Sequence, residues 1–332
     1  MNDINKTVHY TTHAQEICAS LLSFIPENVI LIEPFVGSGD LVKLFPNHVW
    51  ETYDIMPNYL GAIQQDTLLN PPDYKGKWVI TNPPFLAKNK AKEKEIYKKY
   101  NLDDLYKIAL YNSLEAEGGI FIIPTNFFTD ENSEKVRKQF LNNFIIKRLN
   151  IFTTPIFETT TYSVCSFAFE RKENHSQKIQ TFIYPEEKEL ILELNERYGY
   201  RISGEEYAIL NSQKNYFSRL TATTPQNKFI TNIKLYALDT RKEKIHTTYG
   251  EEPFVGKNTD RTYLTFVCDK EINKNIQKQL SINFNIFMNN FREKYSDLGM
   301  TNYRDYNRKR ISFNFAYQIL SYELDQILKE EK

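Results

Sequence analysis

Short apolar runs alternate with helical patterns over the first 125 residues of the chain. The runs lie at residues 29–32, 49–53, 78–81 and 119–123. Residues 14–22 and 103–117 carry apolar side chains at the three- and four-residue spacing of a helix face, and residues 41–45 are predicted to open a further helix. Since parallel strands need long crossover connections, this order predicts a mostly parallel sheet covered on both faces. Its ligand crevice is expected at the carboxyl ends of the strands.

The second half of the chain has a different residue pattern. From about residue 171, charged and aromatic segments replace the strand–helix alternation, and helices are predicted at 186–197 and 270–291. We therefore predict two domains, residues 1–170 and residues 171–332, which is compatible with a chain of 332 residues.

Composition excludes several classes of protein. The 42 basic and 42 acidic residues balance, so any nucleic-acid binding must come from local patches. The longest apolar runs are far below the roughly 18 to 20 residues that cross a bilayer, and no secretion signal is recognisable, so we expect a cytoplasmic protein without membrane contact. Cys18, Cys165 and Cys268 are scattered, which predicts buried apolar side chains and no metal site.

The first loop at the predicted crevice is rich in glycine. The chain has only 11 glycines, and two of them, Gly37 and Gly39, follow the first strand in the stretch Glu33-Pro34-Phe35-Val36-Gly37-Ser38-Gly39-Asp40. Glycine lets the backbone turn sharply and approach a ligand such as a nucleotide-type cofactor. A tight structural turn explains such a pair equally well.

Two acids follow at later strand ends. Asp54, followed by Ile55, closes the second strand, and an acid at this distance from Glu33 can accept hydrogen bonds from both hydroxyls of a ribose. Asp66 can accept a hydrogen bond from an adenine amino group. For each of them a solvated turn acid is the alternative interpretation.

The tetrapeptide Asn82-Pro83-Pro84-Phe85 directly follows the strand at 78–81. Prolines have no N–H, so this backbone offers carbonyl acceptors without competing donors. The Asn82 amide oxygen and the Pro83 carbonyl can accept both hydrogens of a planar amino group, while Phe85 stacks on its ring. An ordinary Pro-Pro turn is the alternative, but it does not explain the flanking asparagine and phenylalanine.

In this order, these segments resemble the S-adenosylmethionine-dependent DNA adenine-N6 methyltransferases of the Asn-Pro-Pro-Tyr/Phe type. The resemblance covers about residues 8–170 and includes the segments 104–106 and 117–124. It implies a doubly wound, Rossmann-like α/β fold of the class I methyltransferases. The short interval between Gly39 and Thr81 leaves no room for an inserted recognition domain, so a smaller C-terminal target-recognition domain is expected, as in the gamma group.

The resemblance also implies roles for individual residues. Asn82, Pro83 and Phe85 would be catalytic, and Phe85 and Phe157 would stack on the substrate base. The residues implied for S-adenosylmethionine binding are Thr11, Thr12, Glu33, Phe35, Gly37, Gly39, Asp54, Ile55 and Asp66.

Two local patches carry the positive charge that DNA contact requires. Lys88 and Lys90 begin a lysine-rich segment that extends to Lys99, for which a solvated helix is the alternative. Arg304, Arg308 and Arg310 are interleaved with tyrosines near the C-terminus, where arginine can bind phosphates or read guanine edges.

The sequence therefore predicts a methyltransferase that modifies the N6 amino group of an adenine flipped out of a short duplex sequence. It would be the modification half of a restriction-modification system, with double-stranded DNA and a separate cognate endonuclease as partners. Adenine rather than cytosine rests on the resemblance alone. The alternatives are an RNA or protein-glutamine N-methyltransferase with the same site, or a nucleotide-binding protein without methyltransferase activity.

Overall fold

The computed structural model describes residues 11, 13–157, 162–173, 175–211, 214–240, 242–250, 252–300, 302–304 and 307–330. The chain forms two compact units. The first contains Met1–Arg201 with Asp305–Asn307, and the second contains Ile202–Arg304 with Arg308–Lys332. The first unit thus extends some thirty residues past the boundary expected near residue 170.

The first unit alternates strands and helices. Its strands are β1 (Ile30–Glu33), β2 (Val49–Asp54), β3 (Ile63–Gln64), β4 (Lys77–Thr81), β5 (Gly118–Pro124), β6 (Phe144–Phe152), β7 (Val164–Arg171), β8 (Ser176–Tyr184) and β9 (Lys188–Asn195). Its α-helices are α1 (Ala14–Cys18), α2 (Glu95–Tyr100), α3 (Leu105–Asn112), α4 (Asn126–Thr129) and α5 (Glu134–Leu141). Short 3₁₀ segments lie at Ala19–Phe24, Val42–Leu44, Glu131–Ser133 and Glu196–Tyr198.

The nine strands form one sheet in the order β3-β2-β1-β4-β5-β7-β6-β8-β9. β1 lies between β2 and β4, and both pairings are parallel, as are those of β2 with β3, β4 with β5 and β6 with β8. β7 runs antiparallel to both β5 and β6, and β9 runs antiparallel to β8. This mostly parallel, Rossmann-like sheet confirms the predicted class I methyltransferase fold.

The central strands are the most deeply buried. The residues of β4 from Trp78 to Thr81 are buried, and so are the residues of β5 from Gly118 to Ile123. Because these strands are covered on both faces, their sequences are continuous apolar runs rather than alternating patterns. The buried cysteines Cys18, Cys165 and Cys268 confirm the expectation of apolar thiols in the interior.

Two helix predictions made from the sequence, at 41–45 and at 186–197, are wrong. Residues 41–45 form only the 3₁₀ segment Val42–Leu44, because Pro46 follows Phe45 and disfavours helical backbone there. The segment predicted as helix at 186–197 is mostly the strand β9. Its Leu192 and Leu194 are buried while Glu193 is exposed, and antiparallel pairing with β8 overrides the helix propensity of its many charged residues.

Buried Arg137 on α5 explains why the first unit continues beyond β9. Its guanidinium donates to the carbonyl oxygens of Gly199 and Phe127, each at 2.7 Å, and to that of Asp130 at 2.9 Å. The backbone at residue 199 is therefore bound to the loops that follow β5. Desolvation lowers the pKa of Arg137 to about 10, which leaves it cationic at neutral pH.

The second unit is built on a separate four-stranded sheet in the order β10-β13-β11-β12. These strands are β10 (Phe217–Arg219), β11 (Phe229–Tyr236), β12 (His246–Tyr249) and β13 (Tyr263–Cys268). In addition, β14 (Asn302–Arg304) pairs antiparallel with β15 (Arg308–Arg310). The helices are α6 (Gly204–Asn211), α7 (Lys274–Tyr295) and α8 (Phe313–Glu330). Apolar side chains of α7 and α8 pack in the core of this unit.

The helix predicted at 270–291 is confirmed as α7, shifted by four residues. Its start is set by Asn273, whose side-chain oxygen accepts the N–H of Ile276 at 2.9 Å. Across the described residues, no helix combines the length and the apolar character needed to cross a membrane.

Candidate methyltransferase site

A cavity of about 650 Å³ lies in the first unit beside the carboxyl ends of β1, β2 and β4. Its position is that expected for a ligand crevice in a parallel sheet. The predicted site residues that line it are Thr11, Glu33, Phe35, Gly37, Asp54, Ile55, Asp66 and Asn82. The sheet thus brings together side chains from five separate stretches of sequence.

Asp54 connects the loops that follow β1 and β2. Its Oδ2 accepts the N–H of Gly37 at 2.9 Å, and its Oδ1 accepts the N–H of Met56 at 2.8 Å. Gly37 has φ 51°, a left-handed conformation that favours glycine. The carboxylate is therefore held at the cavity wall by two backbone donors.

Gly39 lies in the same loop but does not line the cavity. Its φ is 80°, and a Cβ atom at this position would lie 2.2 Å from Cδ2 of Tyr59. Glycine is therefore favoured at position 39 because the backbone has a positive φ there and because the Tyr59 ring lies close to it.

Glu33 is a buried acid at the base of the cavity, with 1% of its surface exposed. Its Oε1 accepts the Thr81 hydroxyl at 2.5 Å and the N–H of Phe35 at 3.0 Å. Burial raises the pKa of Glu33 to about 8 in spite of these hydrogen bonds. Because a nearby cation favours the ionised form of a carboxyl group, a positively charged ligand in the cavity would promote proton release from Glu33.

Asp66 and Ile55 line another part of the wall. The Oδ1 atom of Asp66 accepts the N–H groups of Leu68 and Leu69, both at 3.1 Å, which fixes the carboxylate at the start of a turn. Ile55, Leu68 and Leu69 add apolar surface around it.

Asn82 is nearly buried, and its side chain is held by Thr11. The Asn82 amide nitrogen donates to the Thr11 hydroxyl oxygen at 3.1 Å. Thr11 is 7% exposed and lines the cavity as well, so it contacts both the predicted catalytic residue and the predicted cofactor site. Thr12 lies outside the described residues.

The remaining residues of the tetrapeptide differ in their surroundings. Pro84, rather than Pro83, lines the cavity. Phe85 is 8% exposed and packs edge-on against Tyr106, with the ring centres 6.2 Å apart. Phe157, the other predicted stacking residue, is 4% exposed. The stacking roles of Phe85 and Phe157 stay predictions.

The lysine-rich segment contributes residues that the sequence did not suggest. Ala91, Lys92, Ile96 and Tyr97 line the cavity, where the sequence indicated only DNA contact or a solvated helix. The apolar residues between the lysines, Ala91, Ile96 and Tyr97, are the sequence feature that indicates a partly buried segment. Of the two predicted DNA-binding lysines, Lys90 hydrogen-bonds the Tyr162 hydroxyl and lies over its ring. The backbone N–H of Lys88 donates to the carbonyl oxygen of Asp103 at 2.8 Å.

The C-terminal basic segment contains β14 and β15, two strands of the second unit that pair antiparallel. Within β15, Arg308 is exposed, Lys309 is buried and Arg310 is half-buried. Desolvation lowers the pKa of Lys309, and the carbonyl oxygen of this residue accepts the N–H of Asp239 at 2.9 Å. The side chain of Arg304 lies outside the described part of the chain.

The cavity residues fit S-adenosylmethionine. The Asp54 and Asp66 carboxylates are suitable acceptors for hydroxyl and amino groups, and Ile55, Leu68 and Leu69 offer apolar surface for a flat ring. Buried Glu33 is suited to a positively charged group.

Residues 51–157 match the model of the Eco57I restriction-modification methylase family. The match supports a restriction-modification methyltransferase. It includes most of β2, the tetrapeptide at 82–85 and α3, whereas Thr11, Glu33, Phe35 and Gly37 of the cavity wall lie before it. No curated protein matches this chain at a significant level.

Solved structures similar to this chain are distant in sequence. The methyltransferase subunit of a type I restriction-modification system from Streptococcus thermophilus is 14% identical over 61% of this chain and 52% of its own, with a TM-score of 0.42. The EcoKI M protein of a type I restriction enzyme is 11% identical over 88% and 72% of the two chains, with a TM-score of 0.43. The type IIG restriction endonuclease BpuSI is 14% identical over 66% and 37%, with a TM-score of 0.41. The chain spans about half the length, or less, of several such structures.

Replacing Asp54 with alanine is expected to weaken binding of S-adenosylhomocysteine at least about tenfold, because the loop loses the acceptor for two backbone N–H groups and the cavity loses a carboxylate. Isothermal titration calorimetry measures this. Asp73→Ala is a matched control, since Asp73 also accepts a loop N–H, that of Lys75, but lies outside this cavity wall. Equal affinities of the two variants would contradict the role of Asp54.

Proposed function

We propose that this protein is a cytoplasmic, site-specific DNA methyltransferase that transfers a methyl group from S-adenosylmethionine to the N6 amino group of an adenine extruded from the duplex. The observation that carries the proposal is the Asn82 amide, held by Thr11 at the rim of a cavity that also contains Glu33, Asp54 and Asp66. An amide acceptor beside a site suited to this cofactor is the arrangement that methylation of an amino group requires.

The cofactor would be held by residues already placed around the cavity. Asp54 would bind the ribose hydroxyls, Asp66 the adenine amino group, and Thr11, Phe35 and Gly37 would complete the wall. S-adenosylmethionine supplies a methyl group made electrophilic by its sulfonium. The protein therefore needs no covalent nucleophile, and its task is to orient the target nitrogen.

Asn82 and Pro83 would orient that nitrogen. By accepting both hydrogens of the amino group, the Asn82 amide oxygen and the Pro83 carbonyl draw its lone pair out of conjugation with the ring. They also stabilise the positive charge that develops as the methyl group is transferred. Because the Asn82 amide nitrogen donates to Thr11, the amide oxygen would be the atom that accepts from the target amino group.

Substrate access would require base flipping, because the amino group of a paired base cannot reach the site. Stacking of the base on Phe85 and Phe157 would offset part of the cost, since base–aromatic stacking contributes about 1–3 kcal/mol. Lys88, Lys90, Arg304, Arg308 and Arg310 would contact the DNA, and the second unit would recognise the target sequence. A separate endonuclease acting at the same sequence would be the functional partner.

The test is an incubation of the protein with unmethylated genomic DNA and cofactor carrying a labelled methyl group, followed by nucleoside analysis. We expect label in N6-methyladenine within one short sequence. Label in N4-methylcytosine would keep the mechanism and change the base. Label absent from DNA but present in RNA or in protein glutamine would refute the proposed substrate.

Replacing Phe85 with alanine is expected to lower the methyl-transfer rate on duplex DNA by about tenfold or more, because the extruded base loses its stacking partner. Binding of S-adenosylhomocysteine should be retained, since Phe85 is not part of the cavity wall. Phe85→Tyr serves as control because it keeps the ring and should retain most of the rate. An unchanged rate in Phe85→Ala would refute the stacking role.

A further inference from the structure

Leu86 directly follows the tetrapeptide, and both its backbone N–H and its backbone carbonyl oxygen form hydrogen bonds. The Leu86 N–H donates to Oδ1 of Asp104 at 3.0 Å. The Leu86 carbonyl oxygen accepts the Tyr97 hydroxyl at 2.8 Å and the N–H of Leu105 at 3.4 Å. A β-bridge between Ala87 and Asp104 continues this connection. The segment is thus attached to the start of α3.

This attachment bears on the tetrapeptide because Leu86 directly follows Phe85 in the chain. Pro83 and Pro84 have no N–H and offer no backbone donor. The loop is therefore anchored from its two ends, by the Asn82 side chain on Thr11 and by Leu86 on Asp104. A displacement of Leu86 would move Phe85 and the Pro83 carbonyl, the groups assigned to the substrate base.

The surroundings of Asp104 affect the charge of its carboxyl group in opposite directions. It lies at the N-terminus of α3, where the helix dipole favours negative charge, and the nearby Lys107 also stabilises the carboxylate. Burial and the negative charge of the neighbouring Asp103 have the opposite effect, and they raise the pKa of Asp104 to about 7. The other titratable groups facing it are the hydroxyls of Tyr97 and Tyr106, whose pKa values are raised by burial.

We propose that Asp104 is a positioning residue that holds the Asn82–Phe85 loop in the geometry for methyl transfer by binding the Leu86 N–H. Asp104 does not line the cavity and acts through the loop. The inference rests on the proposed function for its effect on the reaction. The hydrogen bond itself can be tested without any activity.

The experiment combines hydrogen–deuterium exchange of peptides covering residues 85–88 with steady-state kinetics on unmethylated genomic DNA. The variants are Asp104→Ala, which removes the acceptor, and Asp104→Asn, which keeps an oxygen for the Leu86 N–H. Asp103→Asn is the matched control, because the neighbouring Asp103 carboxylate pairs with Lys107 and only its backbone carbonyl contacts the loop, at Lys88.

We expect amides in residues 85–88 of Asp104→Ala to exchange about tenfold faster than in the wild type, and kcat to fall by about tenfold or more. The affinity for S-adenosylhomocysteine should fall less than kcat, because Leu86 is one residue of a wall formed mainly by other segments. Asp104→Asn should restore both slow exchange and kcat, and Asp103→Asn should resemble the wild type.

Unchanged exchange at residues 85–88 in Asp104→Ala would overturn the proposal, and so would a retained kcat despite faster exchange. If Asp104→Ala does not fold, Asp104→Ser makes the same test, because its hydroxyl is too short to reach the Leu86 N–H. A wild-type protein that methylates no DNA would refute the proposed function, and the exchange data would still decide whether Asp104 holds the loop.

Discussion

Replacing Asn82 with alanine is expected to lower the single-turnover rate of methyl transfer by about 10²–10³-fold, the usual effect of removing one preorganised group that stabilises developing charge. The substitution removes the amide that Thr11 holds in place and leaves the target nitrogen with one acceptor fewer. The measurement is transfer of labelled methyl from S-adenosylmethionine to unmethylated genomic DNA, with enzyme in excess over sites.

Cofactor binding separates this effect from a general loss of structure. The affinity of Asn82→Ala for S-adenosylhomocysteine should stay within about fivefold of the wild type, because Asn82 contributes only one edge of the cavity. Asn132→Ala is the control, since Asn132 is exposed and lies in a 3₁₀ segment outside the cavity wall. A near-wild-type rate in Asn82→Ala would remove the central residue of the mechanism.

Replacing Gly119 with alanine is expected to lower the free energy of unfolding of the first unit by about 3 kcal/mol or more. Gly119 pairs with Val79 across β5 and β4, and a Cβ atom there would lie 1.8 Å from the Val79 carbonyl oxygen. Its φ of 152° is also unfavourable for other residues. Since the overlapping atom is backbone, β4 itself would have to move, and Asn82 follows directly after it.

Urea denaturation followed by tryptophan fluorescence measures this effect for the first unit, because Trp50 and Trp78 are the two tryptophans of the chain and both belong to that unit. Gly76→Ala is the matched control. Gly76 also has a positive φ, 71°, but no atom lies within 4 Å of its added Cβ, so only backbone strain of about 1 kcal/mol is expected. Equal destabilisation by the two substitutions would contradict the steric argument.

Local sequence patterns predicted the strands that carry the site. The apolar runs ending near Glu33, Asp54 and Thr81 form β1, β2 and β4, and parallel strands place their carboxyl ends at one edge of the sheet. The grouping of Glu33, Asp54 and Asn82 around one cavity follows from the parallel pairing of β1 with β2 and β4. Roles for these residues came from the resemblance to a methyltransferase family, and they stay predictions.

Contacts between residues distant in sequence determine the features that local patterns did not predict. Residues 188–195 form a strand because β8 pairs with them, although their charged composition favours a helix. The lysine-rich segment contributes Ala91, Lys92 and Tyr97 to the cavity, a placement that depends on where α2 packs. The bond between Asp104 and Leu86 joins residues eighteen positions apart.

The sequence by itself determined which segments form the central strands and the chemistry available at their ends, because hydrophobic periodicity and proline geometry act over a few neighbouring residues. Only the tertiary structure decided which side chains share a wall, which acid accepts the Leu86 N–H and where the first unit ends. Those outcomes depend on burial and on hydrogen bonds between distant segments, which local patterns do not encode.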